Sequence, residues 1–121
     1  INISSVSAIR PSPGRAAYGA AKAGLINLTQ TLAIEWAPKV RLNAITAGMV
    51  KTEKAQIRFG DEAAIDAVTK TIPLGRMATP RDIGDICLFL ASPLASYLTG
   101  SNIVAHGGGE WPAFLAAVKH R

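Results

Sequence analysis

The feature that most constrains this chain is alternation. Three short runs rich in β-branched and small apolar residues, Ile1-Asn-Ile-Ser-Ser5, Val40 to Ile45 and Ser101-Asn-Ile-Val-Ala105, are separated by longer stretches with helical spacing. Strands that return only after a helix-length connection pair in parallel, and both faces of such a sheet are covered by the crossovers. The expected fold class is therefore α/β with a parallel sheet. In open sheets of this kind ligands sit beyond the carboxyl ends of the strands, which directs attention to Ser5 and to the segment Asn43-Ala-Ile-Thr-Ala-Gly48.

The longest helical stretch runs from about Ala16 to Ala37 and stops before Pro38. Its first turns are small residues, which permit close packing, and Leu25, Leu28 and Leu32 recur as a candidate core stripe. Gly60-Asp61 opens a short helix marked by Ile65, Val68 and Ile72, inside a segment from Glu53 to Arg76 that has the look of a mobile lid. Met49, Ile57, Phe59 and Met77 are candidates for a pocket wall or for core. Thr79-Pro80-Arg81-Asp82 combines a hydroxyl cap, proline at the first helical position and an acid in the first turn. The helix it starts carries Ile83, Ile86, Cys87 and Leu90 on one face and ends at Ser92-Pro93. Gly107-Gly-Gly109 follows a strand without phosphate-loop spacing, so a turn is expected, with His106 beside it in a structural role. Trp111, Phe114, Leu115 and Val118 repeat at helical steps and are expected to fold back on the core as a short amphipathic helix.

Composition narrows the function classes. The chain has 121 residues, 49% of them hydrophobic, with one cysteine, Cys87, among core-like neighbours. No run of 18 apolar residues and no secretion-signal pattern is present, so neither a membrane span nor export is expected and a cytoplasmic setting is. Lysine and arginine exceed acids by 13 to 8, giving a net charge of +5. The basic residues Arg10, Arg15, Lys39, Arg41, Lys51, Lys54, Arg58, Lys70, Arg76 and Arg81 are scattered between acids without interleaved aromatics, which argues against a nucleic-acid partner and for a solvated surface. No metal-ligand set is assigned.

The chemistry concentrates in three residues. Tyr18 and Lys22 stand four apart, so on a helix they project from one face, one turn apart. An ammonium about 4 Å from a phenolate in an effective dielectric of roughly 20 attracts it by about 4 kcal/mol, before any opposing desolvation. Such a phenol is suited to passing a proton at neutral pH. Ser5, thirteen residues earlier at the end of the first strand, offers a hydroxyl to the same crevice.

In order along the chain, Asn2-Ile-Ser-Ser5, Tyr18-Gly-Ala-Ala-Lys22, Asn43-Ala-Ile-Thr-Ala-Gly48 with Thr52, Pro73-Leu-Gly-Arg76, Pro80-Arg-Asp82, Phe89-Leu-Ala-Ser92 and Tyr97-Leu-Thr-Gly100 together resemble the second half of a classical short-chain dehydrogenase/reductase. The resemblance implies the last three strands, with their helices, of a Rossmann-like doubly wound parallel sheet. Residues 1–121 would form the catalytic half of one domain, with the nucleotide-binding half upstream and absent from this chain. It also implies Ser5, Tyr18 and Lys22 as catalytic residues, an NAD or NADP cofactor and a small carbonyl or alcohol substrate. Tyr18 and Lys22 would touch the dinucleotide as well. Gly48, Val50 and Thr52 would line the nicotinamide, the Val50 backbone and Thr52 hydroxyl meeting its carboxamide. Assembly as a homodimer or homotetramer is implied too, with the long helix in a subunit contact and the carboxyl-terminal helix able to cover a neighbour instead of its own core. The chain departs from the family at Ala47, where proline is usual. That keeps a backbone amide and releases a fixed φ angle. A truncated non-catalytic partner subunit, or an isomerase or dehydratase on the same fold, are the alternatives to an oxidoreductase.

Overall fold

The computed structural model describes residues 1–118. Three strands, β1 (Asn2–Ser5), β2 (Ala44–Ala47) and β3 (Asn102–Ala105), form a parallel sheet in the order β1-β2-β3. The crossover from β1 to β2 is the long helix α1 (Ala16–Trp36). The crossover from β2 to β3 contains α2 (Ala55–Phe59), α3 (Glu62–Thr69) and α4 (Pro80–Ala91), and α5 (Ala113–Ala117) follows β3. This is the expected α/β architecture. β2 is the central strand and all four of its residues are buried.

The register is uniform. Asn2, Ala44 and Asn102 lie abreast, as do Ile3, Ile45 and Ile103, and Ser5, Ala47 and Ala105 end the three strands together. Side chains alternate between faces, so the sheet has two unlike surfaces. On one, Asn2 donates to Thr29 Oγ1 (2.9 Å), Ser4 donates to the Lys22 carbonyl (2.9 Å) and Thr46 donates to Asn102 Oδ1 (2.6 Å) beneath α1. On the other, Ile45 packs with Leu90 and Ala95, bordered by Ile83, Ile86, Cys87, Leu98 and Ile103 beneath α4. A second small core, Ala55, Ile65, Ile72 and Met77, sits under α2 and α3 with Met49, Phe59 and Val68 against it. The expected lid therefore has its own hydrophobic anchor. Of the residues weighed as pocket wall or core, only Ile57 belongs to neither, being exposed.

Four expectations need correction. The second strand begins at Ala44 instead of Val40, because residues 41–43 are pinned by side chains: Arg41 donates to the Leu90 and Leu98 carbonyls, and Asn43 bridges Leu98 and Ser101. The buried face of α1 carries Thr29 and Ala33, while Leu25 and Leu32 are half-buried and Leu28 is 50% exposed. The strand face that meets this helix is polar and closely approached, so small and hydroxylated residues, not leucines, occupy the contact. In α5 no residue is buried, and Trp111, Phe114 and Val118 are exposed, so this helix does not fold back on the core. The short helix expected to extend to Ile72 ends at Thr69, with Asp61 as its cap accepting from the Ala64 amide.

The start of α4 follows the sequence reading closely. Thr79 accepts from the Asp82 amide and Asp82 accepts from the Thr79 amide, a reciprocal capping box. Arg76 clamps the Asp82 carboxylate through both guanidinium nitrogens at 2.6 and 3.1 Å. That clamp and the Thr79 amide hold the Asp82 carboxyl well below the usual carboxylate range.

Candidate active site

β1 ends at Ser5, and the chain turns at once into a single 3₁₀ turn, Val6–Ala8. Ser5 caps that turn. Its Oγ accepts from the Ser7 amide at 3.2 Å, which uses one lone pair and leaves the hydroxyl hydrogen able to point elsewhere. The side chain is nearly buried. After the loop, α1 begins at Ala16 and Tyr18 lies in its first turn. Gly19 explains how the helix comes so close: a Cβ there would stand 2.7 Å from the Ser7 carbonyl oxygen, so only glycine lets α1 press against the turn that Ser5 caps.

One helical turn on, Lys22 reaches back to the strand. Its Nζ donates to the Ile3 carbonyl at 3.0 Å and lies 5.7 Å from the centre of the Tyr18 ring. With the Ser4 hydroxyl donating to the Lys22 carbonyl, helix and strand are tied at both ends of one residue. Ser5 from the end of β1 and Tyr18 and Lys22 from α1 thus line one cleft of about 240 Å³ at the carboxyl edge of the sheet.

The remaining predicted residues, Gly48, Val50 and Thr52, line the same cleft. Val50 forms an isolated parallel bridge with Ala78, in which the Lys51 amide donates to the Ala78 carbonyl (2.8 Å) and the Ala78 amide to the Met49 carbonyl (2.9 Å). In that pattern the bridging residue's own N–H and C=O point the opposite way, which suits Val50 to pairing with an amide. Thr52 already performs a local task, its Oγ1 accepting from the Lys54 amide at 3.3 Å ahead of α2. Gly48 also has a packing reason to be glycine. A Cβ would come within 2.7 Å of His106 Cα, so the glycine admits the end of β3 and not only a ligand ring. His106 has a structural place against it. Gly107, Gly108 and Gly109 all have positive φ, and Gly107 and Gly108 are packed against Ile72 and Pro73, which fixes the conformation of the turn expected there.

Sequence reasoning missed the basic side of this cleft. Arg58 and Lys54 line it, and the Arg15 guanidinium lies 4.1 Å from the centre of the Tyr18 ring. The scatter of basic residues along the chain concealed a local convergence. The available signal was the three-residue step from Arg15 to Tyr18, which sets a cation over a ring at the start of a helix.

A larger cavity of about 590 Å³ lies on the β3 side, with Met49, Leu74, Ile83, Ile86, Val104 and His106 among its lining. Ser5, Tyr18 and Lys22 are absent from its wall. Among the described residues no helix is long and apolar enough to cross a membrane, and no three potential metal ligands cluster.

A family model described as Enoyl-(Acyl carrier protein) reductase matches residues 1–110. An uncharacterized short-chain type dehydrogenase/reductase of Sinorhizobium fredii is 40% identical over 110 residues, covering 89% of this chain and 20% of that protein. Among solved structures, a short-chain dehydrogenase/reductase named as a glucose/ribitol dehydrogenase, from Brucella melitensis, superposes with a TM-score of 0.83 at 32% identity, covering 91% of this chain and 44% of the other. A 4-hydroxyisoleucine dehydrogenase complexed with NADH gives a TM-score of 0.81 at 37% identity, covering 88% and 44%. The chain spans less than half the length of these relatives.

Proposed function

Because the chain belongs to the short-chain dehydrogenase/reductase family, we propose that it carries the catalytic half of an NAD(P)-dependent oxidoreductase that interconverts a carbonyl and a secondary alcohol. The observation that carries this reading is the convergence of Ser5, Tyr18 and Lys22 on one cleft that Gly48, Val50 and Thr52 also line. The cleft suits a nicotinamide: the outward-facing Val50 backbone groups can pair with a carboxamide, the Thr52 hydroxyl can add to that contact, and Lys22 lines the same cleft and can meet a ribose hydroxyl. The bound dinucleotide, NAD or NADP, supplies or accepts the hydride at the reacting carbon. An NADH complex of a relative of similar fold supports that choice of cofactor.

In the reductive direction the Tyr18 phenol transfers its proton to the carbonyl oxygen as that oxygen gains charge, and in oxidation the phenolate takes the proton from the alcohol. Ser5 donates its hydroxyl hydrogen to the same oxygen and fixes its position beside the phenol. The Lys22 ammonium stabilises the phenolate that remains, which solvent then reprotonates. The apolar surface left open on the outer side of α4 and the turn after it, at Leu88, Phe89, Leu94 and Tyr97, favours assembly as a homodimer or homotetramer.

The test is Tyr18→Phe in the complete protein, followed as NAD(P)H oxidation over a panel of ketones. Turnover should fall about 10²-fold or more, the usual contribution of a positioned acid, while dinucleotide binding is retained. Unchanged turnover refutes the reading.

A further inference from the structure

We propose that the substrate carries an anionic group, a carboxylate or a phosphate, and that Arg15 and Arg58 bind it at the Tyr18 side of the cleft. The inference rests on the oxidoreductase reading of that cleft and deepens it. Arg15 and Arg58, 43 positions apart in sequence, are brought near enough for each charge to act on the other. Arg15 immediately precedes α1 and lies 4.1 Å from the centre of the Tyr18 ring; Arg58 sits in the last turn of α2, 5.1 Å from the centre of the Phe59 ring. Tyr18, Arg58 and Phe59 all line the cleft. Each guanidinium is thus laid against an aromatic ring, a support that fixes its plane and leaves its edge donors free.

The cluster is electrostatically unbalanced. Arg58 is held below the ordinary arginine range, first by burial and then by the positive charges of Arg15 and Arg10. Arg10 is engaged by Glu110 at 2.6 Å, whereas among the described residues neither Arg15 nor Arg58 takes part in an ion pair. Lys54, one turn before Arg58, adds a further positive charge to the same cleft. Guanidinium groups cannot relieve mutual repulsion by losing a proton near neutrality. An anion between them turns that repulsion into attraction, and the planar forks match the geometry of a carboxylate or phosphate. The anion is assigned to the substrate because Arg15 is stacked on the ring proposed to protonate the substrate oxygen, whereas the proposed nicotinamide wall is the backbone from Gly48 to Thr52.

The experiment compares (ω−1)-oxo acids, methyl ketones of increasing chain length, with their primary amides as oxidants of NAD(P)H, using the complete protein and its Arg15→Gln and Arg58→Gln variants. The acid should exceed the matching amide in kcat/KM by tenfold or more for at least one length. Either variant should reduce that ratio by tenfold or more, with the KM for NAD(P)H unmoved. Equal turnover of acids and amides by the unaltered protein, or an acid preference that survives both substitutions, overturns the proposal and leaves the oxidoreductase reading standing. A raised KM for NAD(P)H with an unchanged acid-to-amide ratio also overturns it, and moves the anion to the cofactor's phosphates. Absence of NAD(P)H oxidation with every member of both series counts against the oxidoreductase reading and this proposal together.

Discussion

The two faces of the sheet are built on different principles. Beneath α4, Ile45, Leu90 and Ala95 are closed off from solvent and surrounded by apolar neighbours. Beneath α1, contact is made through Asn2 to Thr29 and through Ser4 to the Lys22 carbonyl, each a hydrogen bond, while Thr46 on the same face bonds Asn102 of β3. Apolar burial is non-directional and scales with area, so the α4 face supplies stability without fixing small displacements. Hydrogen bonds are directional and costly to leave unmade. The α1 face therefore fixes the register of helix against strand, and the proposed acid depends on that register, since Tyr18 and Lys22 belong to the helix and Ser5 to the strand.

The contrast can be broken from either side. The largest expected loss of stability is from Leu90→Ala, because Leu90 is 1% exposed at the centre of the α4 contact. Truncating such a leucine costs about 2–5 kcal/mol. A urea titration of the protein carrying this chain should show the loss, with kcat little changed in whatever fraction stays folded. Thr29→Val should act in the opposite manner. It preserves shape but removes the acceptor of the Asn2 amide and the hydroxyl that bonds the Leu25 carbonyl. A cost of about 1 kcal/mol is expected from the net value of a hydrogen bond, together with a proportionally larger fall in kcat as β1 loses one of its ties to α1. Equal effects on kcat from the two variants would erase the distinction.

The smallest effect concerns pH. The Asp82 carboxyl is held below its unfolded range, chiefly by Arg76 and then by the Thr79 amide. A depressed carboxyl contributes stability that is fully present above the unfolded value of about 4 and is lost as pH falls below it. The protein should therefore lose stability on acidification below about pH 4. Asp82→Asn should be less stable at pH 7 and flatter in that acid range, a difference read from denaturation midpoints across pH.

What the sequence makes legible follows the same division. Period-two and period-3.6 patterns report apolar faces, and the α4 side was readable down to its cap: Thr79, Pro80 and Asp82 take the positions their chemistry favours, and Ile83, Ile86, Cys87 and Leu90 face the sheet. The α1 side defeats that rule. Its buried residues are Thr29 and Ala33, whereas Leu28, Ile34 and Trp36 are exposed, so hydrophobic periodicity points away from the true contact. The six predicted site residues line a common cleft; spacing pointed to Tyr18 and Lys22 and the family resemblance to Gly48, Val50 and Thr52, with periodicity pointing to none of them. Arg15 and Arg58 escaped because linear spacing says nothing about which distant cations a fold brings together. The start of β2 escaped because Arg41 and Asn43 hold the preceding residues through side-chain bonds that no local pattern announces.

The central claim is that Ser5 and Tyr18, held by α1 and β1 in one cleft, act on one oxygen as a unit. Groups that act together lose function non-additively when removed together. The direct measurement is a double-mutant cycle of kcat with Ser5→Ala, Tyr18→Phe and the pair combined. The account predicts that the double variant is no slower than the worse single variant by more than about threefold; multiplicative losses would mean independent roles and would contradict it.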